Sequence, residues 1–147
     1  MSITTIFEIA ASGMSAQSVR LNTTASNLAN AQSVSSSLEE TYRSRHPVFS
    51  TKQTPFDELF NDGIRGLNQD VGRGVEVLGI VESDSPLVER YEPNHPMANE
   101  QGYVSYPNVN VVEQMADMIS ASRSFQTNVD VMDSAKKMME RLLNMGR

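Results

Sequence analysis

The chain has no cysteine, so disulfides and cysteine-based metal sites are excluded. It has no tryptophan, and only 39% of its 147 residues are hydrophobic. A large globular core is therefore not expected, and helix pairing must carry much of the burial. No run approaches the ~18 apolar residues of a membrane-spanning helix, so direct membrane insertion is not expected. The first residues lack both a basic region and a continuous apolar stretch. A conventional secretory signal is not expected, which leaves a cytoplasmic protein or one exported without a cleaved signal. Basic residues are few, 12 against 18 acids for a net charge of −6. That balance argues against nucleic acid, which demands basic patches.

Groupings that carry chemistry are also missing. The two histidines, His46 and His95, are far apart and each sits beside a proline. Neither has a second histidine or a carboxylate at ligand spacing, so both read as turn residues. Glu39-Glu40 and Asp57-Glu58 read as solvated loop. Asp62-Gly63 lacks the alternating acids of a calcium loop. Gly72-Arg73-Gly74 lacks the strand–glycine–helix context of a phosphate cradle. No catalytic residue, cofactor site or metal site is expected, and an enzyme is the least favoured class.

What the chain does have is a heptad ladder at each end. Ile3, Phe7, Ala10, Met14, Gln17, Leu21, Thr24 and Leu28 follow one another at alternating spacings of four and three. Met118, Ser122, Phe125, Val129, Met132, Lys136, Met139 and Leu143 do the same. That spacing places residues on one stripe of a helix, the seam of a coiled coil. The methionines of the second ladder suit such a seam better than a promiscuous groove. Helices are expected from residue 3 to about 30 and from Asn110, a candidate N-cap with Glu113 at N3, to about Met145. Thr5 with Glu8, or Ser2, are the candidate caps of the first helix. Gly13 is its one weak spot, costing ~1 kcal/mol relative to alanine.

The middle has a different pattern. Val75–Val77 with Ile80–Glu82, and Leu87–Tyr91, are strand-like, while 42–50 and 103–106 are weaker candidates. Pro47 points to an edge or irregular strand. Residues 51–73, with Pro55, Gly63 and Gly66, read as a long mobile loop. The expected fold is mainly α with a small β part. A discontinuous helical domain (1–33 plus 111–147) pairs as an antiparallel coiled coil, and a β-rich unit (34–110) projects from it.

Charge follows the same division. Residues 1–30 hold only Glu8 and Arg20, residues 111–147 hold five acids and five bases, and the net negative charge lies between them. The non-seam positions of the first helix are small and uncharged: Ser12, Ser15, Ala16, Ser18, Asn22, Thr23, Ala25 and Ser26. Side chains of this kind let other helices approach closely, whereas a solvated helix would carry Glu and Lys. Two classes remain open: a polymerising structural protein, and a cytoplasmic coiled-coil adaptor or dimerisation protein. The uncharged outer face disfavours the adaptor.

Ala25-Ser26-Asn27-Leu28-Ala29-Asn30 resembles the N-terminal signature of flagellar rod and hook proteins. Ser120-Ala121-Ser122-Arg123-Ser124-Phe125-Gln126-Thr127-Asn128-Val129 resembles their C-terminal motif. Three further stretches resemble the proximal-rod branch of that superfamily. They are Tyr42-Arg43 with Pro47-Val48-Phe49, Tyr91-Glu92-Pro93-Asn94-His95-Pro96-Met97-Ala98, and Gly102-Tyr103-Val104 with Pro107-Asn108-Val109-Asn110. The resemblance implies a structural subunit of the flagellar basal body, exported unfolded by the flagellar type III apparatus. It implies polymerisation into the rod in the periplasm with copies of itself, other rod proteins and basal-body ring components. The residues expected to serve packing and assembly are Phe7, Met14, Leu21, Asn27, Leu28, Asn30, Met118, Arg123, Phe125, Val129, Met132, Met139 and Leu143. Asn27 and Asn30 lie one turn apart, and their amides can bond a neighbouring chain, or Asn30 can simply cap its helix. Arg123 either bridges to a neighbour or is exposed.

Overall fold

The computed structural model describes residues 3–52 and 74–145. Helix α1 spans Ile3–Asn30 and helix α2 spans Val111–Met145. Among the described residues between them lie four strands: β1 (Arg45–Thr51), β2 (Val75–Glu82), β3 (Val88–Tyr91) and β4 (Tyr103–Tyr106). They form two separate antiparallel ladders, β1 with β2 and β3 with β4. The fold is mainly helical with a small β part, as the two ladders of heptads and the short strand patterns predict. Most of the proposed loop 51–73 falls outside the described residues, and Thr51 itself ends β1.

α2 begins where its cap predicts. Asn110 accepts a hydrogen bond from the amide of Val112 (3.2 Å), satisfying a donor left over by the first turn. α1 begins earlier than Thr5, so Thr5 and Glu8 lie inside the helix and do not form its capping box. At its other end Asn30 donates from its side chain to the carbonyl of Ser26 (2.8 Å). Its own carbonyl accepts from the amide and the hydroxyl of Ser33 (3.0 and 2.8 Å). Ser33 therefore closes the last turn.

The helices run antiparallel, and two contacts fix their register. A Cβ on Gly13 would meet the Asn128 side chain at 2.9 Å, and Asn27 bonds Gln114 at 2.9 Å. In both pairs the residue numbers add to 141. Gly13 is thus a close approach of the two helices, and its helix-propensity cost has a packing reason. The same register leaves the last two turns of α2 beyond the start of α1, where Met139, Leu142, Leu143 and Met145 are exposed.

The phase of the seam differs from the heptads expected for α2. Its inner stripe is Gln114, Met118, Ala121, Phe125, Asn128, Met132 and Ala135, again at spacings of four and three. Gln114, Ala121 and Ala135 are buried, while Met118, Phe125 and Met132 are half-buried. Val129 is half-buried beside this stripe, Ser122 and Lys136 are exposed, and Leu143 is 69% exposed. On α1 the buried positions are Ala10, Ala16, Thr23, Thr24 and Asn27. Phe7, Met14, Leu21 and Leu28 form a half-buried flank. Small residues occupy the centre of the interface because they allow the backbones closer together, and the longer side chains close over its edges.

α1 packs against α2 on one face and against β1 and β2 on another. Ser12 joins it to the start of β2: its hydroxyl accepts from the amide of Val75 (3.1 Å) and donates to the carbonyl of Ile9 (2.8 Å). Gly74, at φ +111°, lies against the Ser12 hydroxyl, a conformation and a gap that only glycine fits. β2 carries one extra residue, Leu78, opposite the step from Val48 to Phe49 of β1, and Arg20 of α1 lies over the Phe49 ring (5.1 Å).

Candidate functional site

Among the described residues, buried apolar side chains are few and mostly alanine, and polar side chains join the described elements together. The centre of this network is Asn27, which is 0% exposed. Its Oδ1 accepts from the amide of Arg45 and from the hydroxyl of Tyr42, each at 2.9 Å. Its Nδ2 donates to the carbonyl of Arg45 (2.8 Å) and to Oε1 of Gln114 (2.9 Å). All four hydrogen-bonding positions of the amide are filled. By bonding both the N–H and the C=O of Arg45, the side chain behaves toward β1 as a neighbouring strand would. One residue thus ties α1 to α2, to the first strand of the β part, and to the segment leading into it.

A second amide works beside it. Asn108, just before α2, accepts from the amide of Ser44 (2.8 Å) and donates to the carbonyl of Ser85 (2.9 Å). Ser44 in turn accepts from the amide of Ser83 (2.8 Å). The buried pair Ser35 and Ser105 exchange both backbone bonds (3.2 and 3.1 Å), joining the segment after α1 to β4. In the β3–β4 ladder, Tyr91 meets Tyr103 edge to face at 5.3 Å and Arg90 lies over Tyr106 at 4.7 Å.

Asn27 is enclosed within its own chain, and all four hydrogen bonds of its amide are made there; a bond from it to a neighbouring chain is a matter for the assembled polymer. Asn30 acts on its own helix end, the capping alternative. Arg123 is exposed, and its guanidinium makes no hydrogen bond or ion pair among the described residues. Met139 is 38% exposed and Leu143 is more open still, so neither is covered by α1. Gln114, Asn108, Tyr42 and Asn128 carry contacts that heptad spacing does not flag. Gln114 and Asn128 are amides within a helical seam, where an apolar residue is the rule, while Tyr42, Asn108 and Asn128 lie in the stretches that carry the family resemblance.

The outward side of α1 is equally distinctive. Thr4, Glu8, Ala11, Ser15, Ser18, Asn22, Ala25 and Ala29 are all exposed and follow spacings of four and three. From Ala11 onward this stripe is uncharged and small. On α2, Val112, Met115 and Ile119 are exposed at 75%, 49% and 57%. Among the described residues, no three His, Asp or Glu side chains gather where a metal ion would sit. No described helix is long and apolar enough to cross a membrane.

Known proteins share these two ends. Residues 7–34 match a family model described as flagella basal body rod protein. Residues 100–145 match one described as flagellar basal body rod FlgEFG protein C-terminal. Over all 147 residues, and the whole of the relative, the chain is 42% identical to the flagellar basal-body rod protein FlgC of Salmonella typhimurium. It is 40% identical to that of Yersinia enterocolitica, again over the full length of both. Across 95% of each chain it is 34% identical to the FlgC of Bacillus subtilis. The chain belongs to the FlgC family of flagellar basal-body rod proteins.

Proposed function

We propose that this chain is a structural subunit of the flagellar basal-body rod. It polymerises there with other rod proteins and with copies of itself, after export by the flagellar type III apparatus, and resides in the periplasmic part of the basal body. The observation that carries the reading is end-to-end similarity to FlgC proteins, which includes both terminal helices and the β part between them. The geometry supports it. The two ends of the chain form one antiparallel pair, the β1–β2 ladder is tied to that pair by Asn27, and the free face of α1 is poor in charge. A solvated helix face of that length would carry Glu and Lys, whereas a face covered in a polymer need not. A drive shaft also requires that its subunits not yield under torque, and fully satisfied buried amides rigidify the joints between elements.

Deleting the gene and restoring it with an epitope-tagged copy tests this. The deletion strain is expected not to swim, and the tagged chain is expected in isolated basal bodies at a constant ratio to other rod subunits. A deletion strain that swims normally, or basal bodies without the chain, would overturn the assignment.

A further inference from the structure

Among the described residues, one buried side-chain oxygen has no hydrogen-bond partner: Oε1 of Gln17. Gln17 lies in the seam of α1, one turn after Gly13. Across the seam from Gly13 stands Asn128 of α2, its Nδ2 only 2.9 Å from where a Cβ on Gly13 would be. The Asn128 amide makes no hydrogen bond among the described residues, and it is half-buried, so solvent reaches it. Helical side chains lean toward the N-terminus of their own helix. The helices are antiparallel, so Gln17 leans toward the level of Gly13 and Asn128 leans toward the level of Gln17. The two amides converge. Ser124, level with Gln17 in this register, leans away from them. A tie of the same kind is already made elsewhere in the seam, where Nδ2 of Asn27 donates to Oε1 of Gln114 at 2.9 Å.

We propose that Gln17 and Asn128 form a latch within the chain, open in the free protein and closed in the rod. Closing is a rotation of the Asn128 side chain that lets its Nδ2 donate to Oε1 of Gln17. The inference rests on the rod reading, because the polymer supplies the drive. In the free chain Asn128 bonds solvent, and the open latch leaves one acceptor unsatisfied. In the rod the pair is covered and solvent is withdrawn from Asn128. An open latch then strands a donor as well as an acceptor, and a single bond satisfies both. Gly13 permits the rotation, since no side chain stands there to block Asn128. Neither helix has to slide. With the latch closed, Gln114 and Asn128 tie α2 to α1 at two levels about 21 Å apart, at 1.5 Å per residue. Polar pairs in a helical seam specify register, and a seam centred on small residues needs that specification when the shaft is loaded.

Gln17→Met, Asn128→Leu and the two together test the latch in both states. On the purified chain, Gln17→Met is expected to raise the urea midpoint, because it removes the unsatisfied acceptor. The two changes are expected to add there, because no bond couples them. In the deletion strain the order reverses. Either single change strands one partner in the covered pair, and swim-ring diameter is expected to fall roughly twofold or more. The double variant leaves neither partner stranded and is expected to recover most of the loss. The exchange Gln17→Asn with Asn128→Gln keeps donor, acceptor and combined length, and is expected to swim better than either of its single changes. It decides the matter if the apolar double variant does not fold. Single variants that swim like the parent, or double variants no better than their single changes, would overturn the latch and leave the rod reading standing. Changes that fail to add in the purified chain would overturn the open state. A parent chain missing from basal bodies would overturn the rod reading itself.

Discussion

Asn27→Ala removes four hydrogen bonds at once. Tyr42 keeps a second partner in the hydroxyl of Ser26 (3.3 Å). The Oε1 of Gln114 has no other bond, and Gln114 is 2% exposed, so its acceptor is left without water. The amide and carbonyl of Arg45 lose their partner at the very start of β1. Each buried polar group left unsatisfied costs about 1–3 kcal/mol. With Gln114 and at least one Arg45 group stranded, the variant should lose about 2–6 kcal/mol. That is a large share of the ~5–15 kcal/mol that holds an ordinary domain together. Asn27→Asp makes a sharper comparison. It keeps the size and the acceptor but replaces the donor with an oxygen facing the Arg45 carbonyl and Gln114 Oε1. It should be no milder than alanine, although it is nearly isosteric. Urea unfolding followed by the helical signal at 222 nm, on the purified chain and both variants, reads the loss directly. A loss below 1 kcal/mol for Asn27→Ala would refute the reasoning. So would an Asn27→Asp variant as stable as the parent, since it would show that the donor half of the node does not matter.

Three further outcomes follow from the packing. Ala121→Leu and Ala135→Leu, at buried seam positions, should each cost about 1–3 kcal/mol by overpacking, while Ser122→Leu and Lys136→Leu change unfolding midpoints little. The opposite order would restore the heptad phase expected from sequence. Gly13→Ala should gain about 1 kcal/mol in an Asn128→Ala background, where the close contact is relieved, and gain less in the parent. Equal gains in both backgrounds would show that Asn128 does not press on Gly13. Gly74→Ala should cost about 1–3 kcal/mol, because its φ of +111° strains any side chain and its Cβ would strike Ser12. An unchanged melting temperature would contradict the placement of β2 against α1.

Much of this architecture was legible in the sequence because it is local. Alternating spacings of four and three are a property of one helix and need no partner, so both helices and their antiparallel closure follow from the ladders. Val75–Glu82 and Val88–Tyr91 announce themselves by β-branched and aromatic residues between glycine and proline, while 45–51 and Tyr103–Tyr106 give a weaker signal. The phase of the α2 seam did not, for a physical reason. A ladder of Met, Phe, Val and Leu is the natural choice for an inner face, and Val129, Met139 and Leu143 belong to it. Gly13, Ala121 and Ala135 instead draw the helices so close that small residues take the centre. Asn27 was visible as unusual, but its partners were not. Arg45 lies 18 positions away and Gln114 lies 87, and nothing in a heptad pattern links an amide to either. An amide in a seam has the same appearance whether it waits for a neighbour or is already engaged at home.

A structure of the assembled basal-body rod containing this chain, by cryo-electron microscopy at side-chain resolution, tests the account most directly. It is predicted to show Asn27 bonded to Gln114 and Arg45 of its own chain, with the Ala11–Ala29 stripe of α1 covered by a helix of an adjacent subunit. A stripe open to solvent, or Asn27 bonded to another chain, would contradict it.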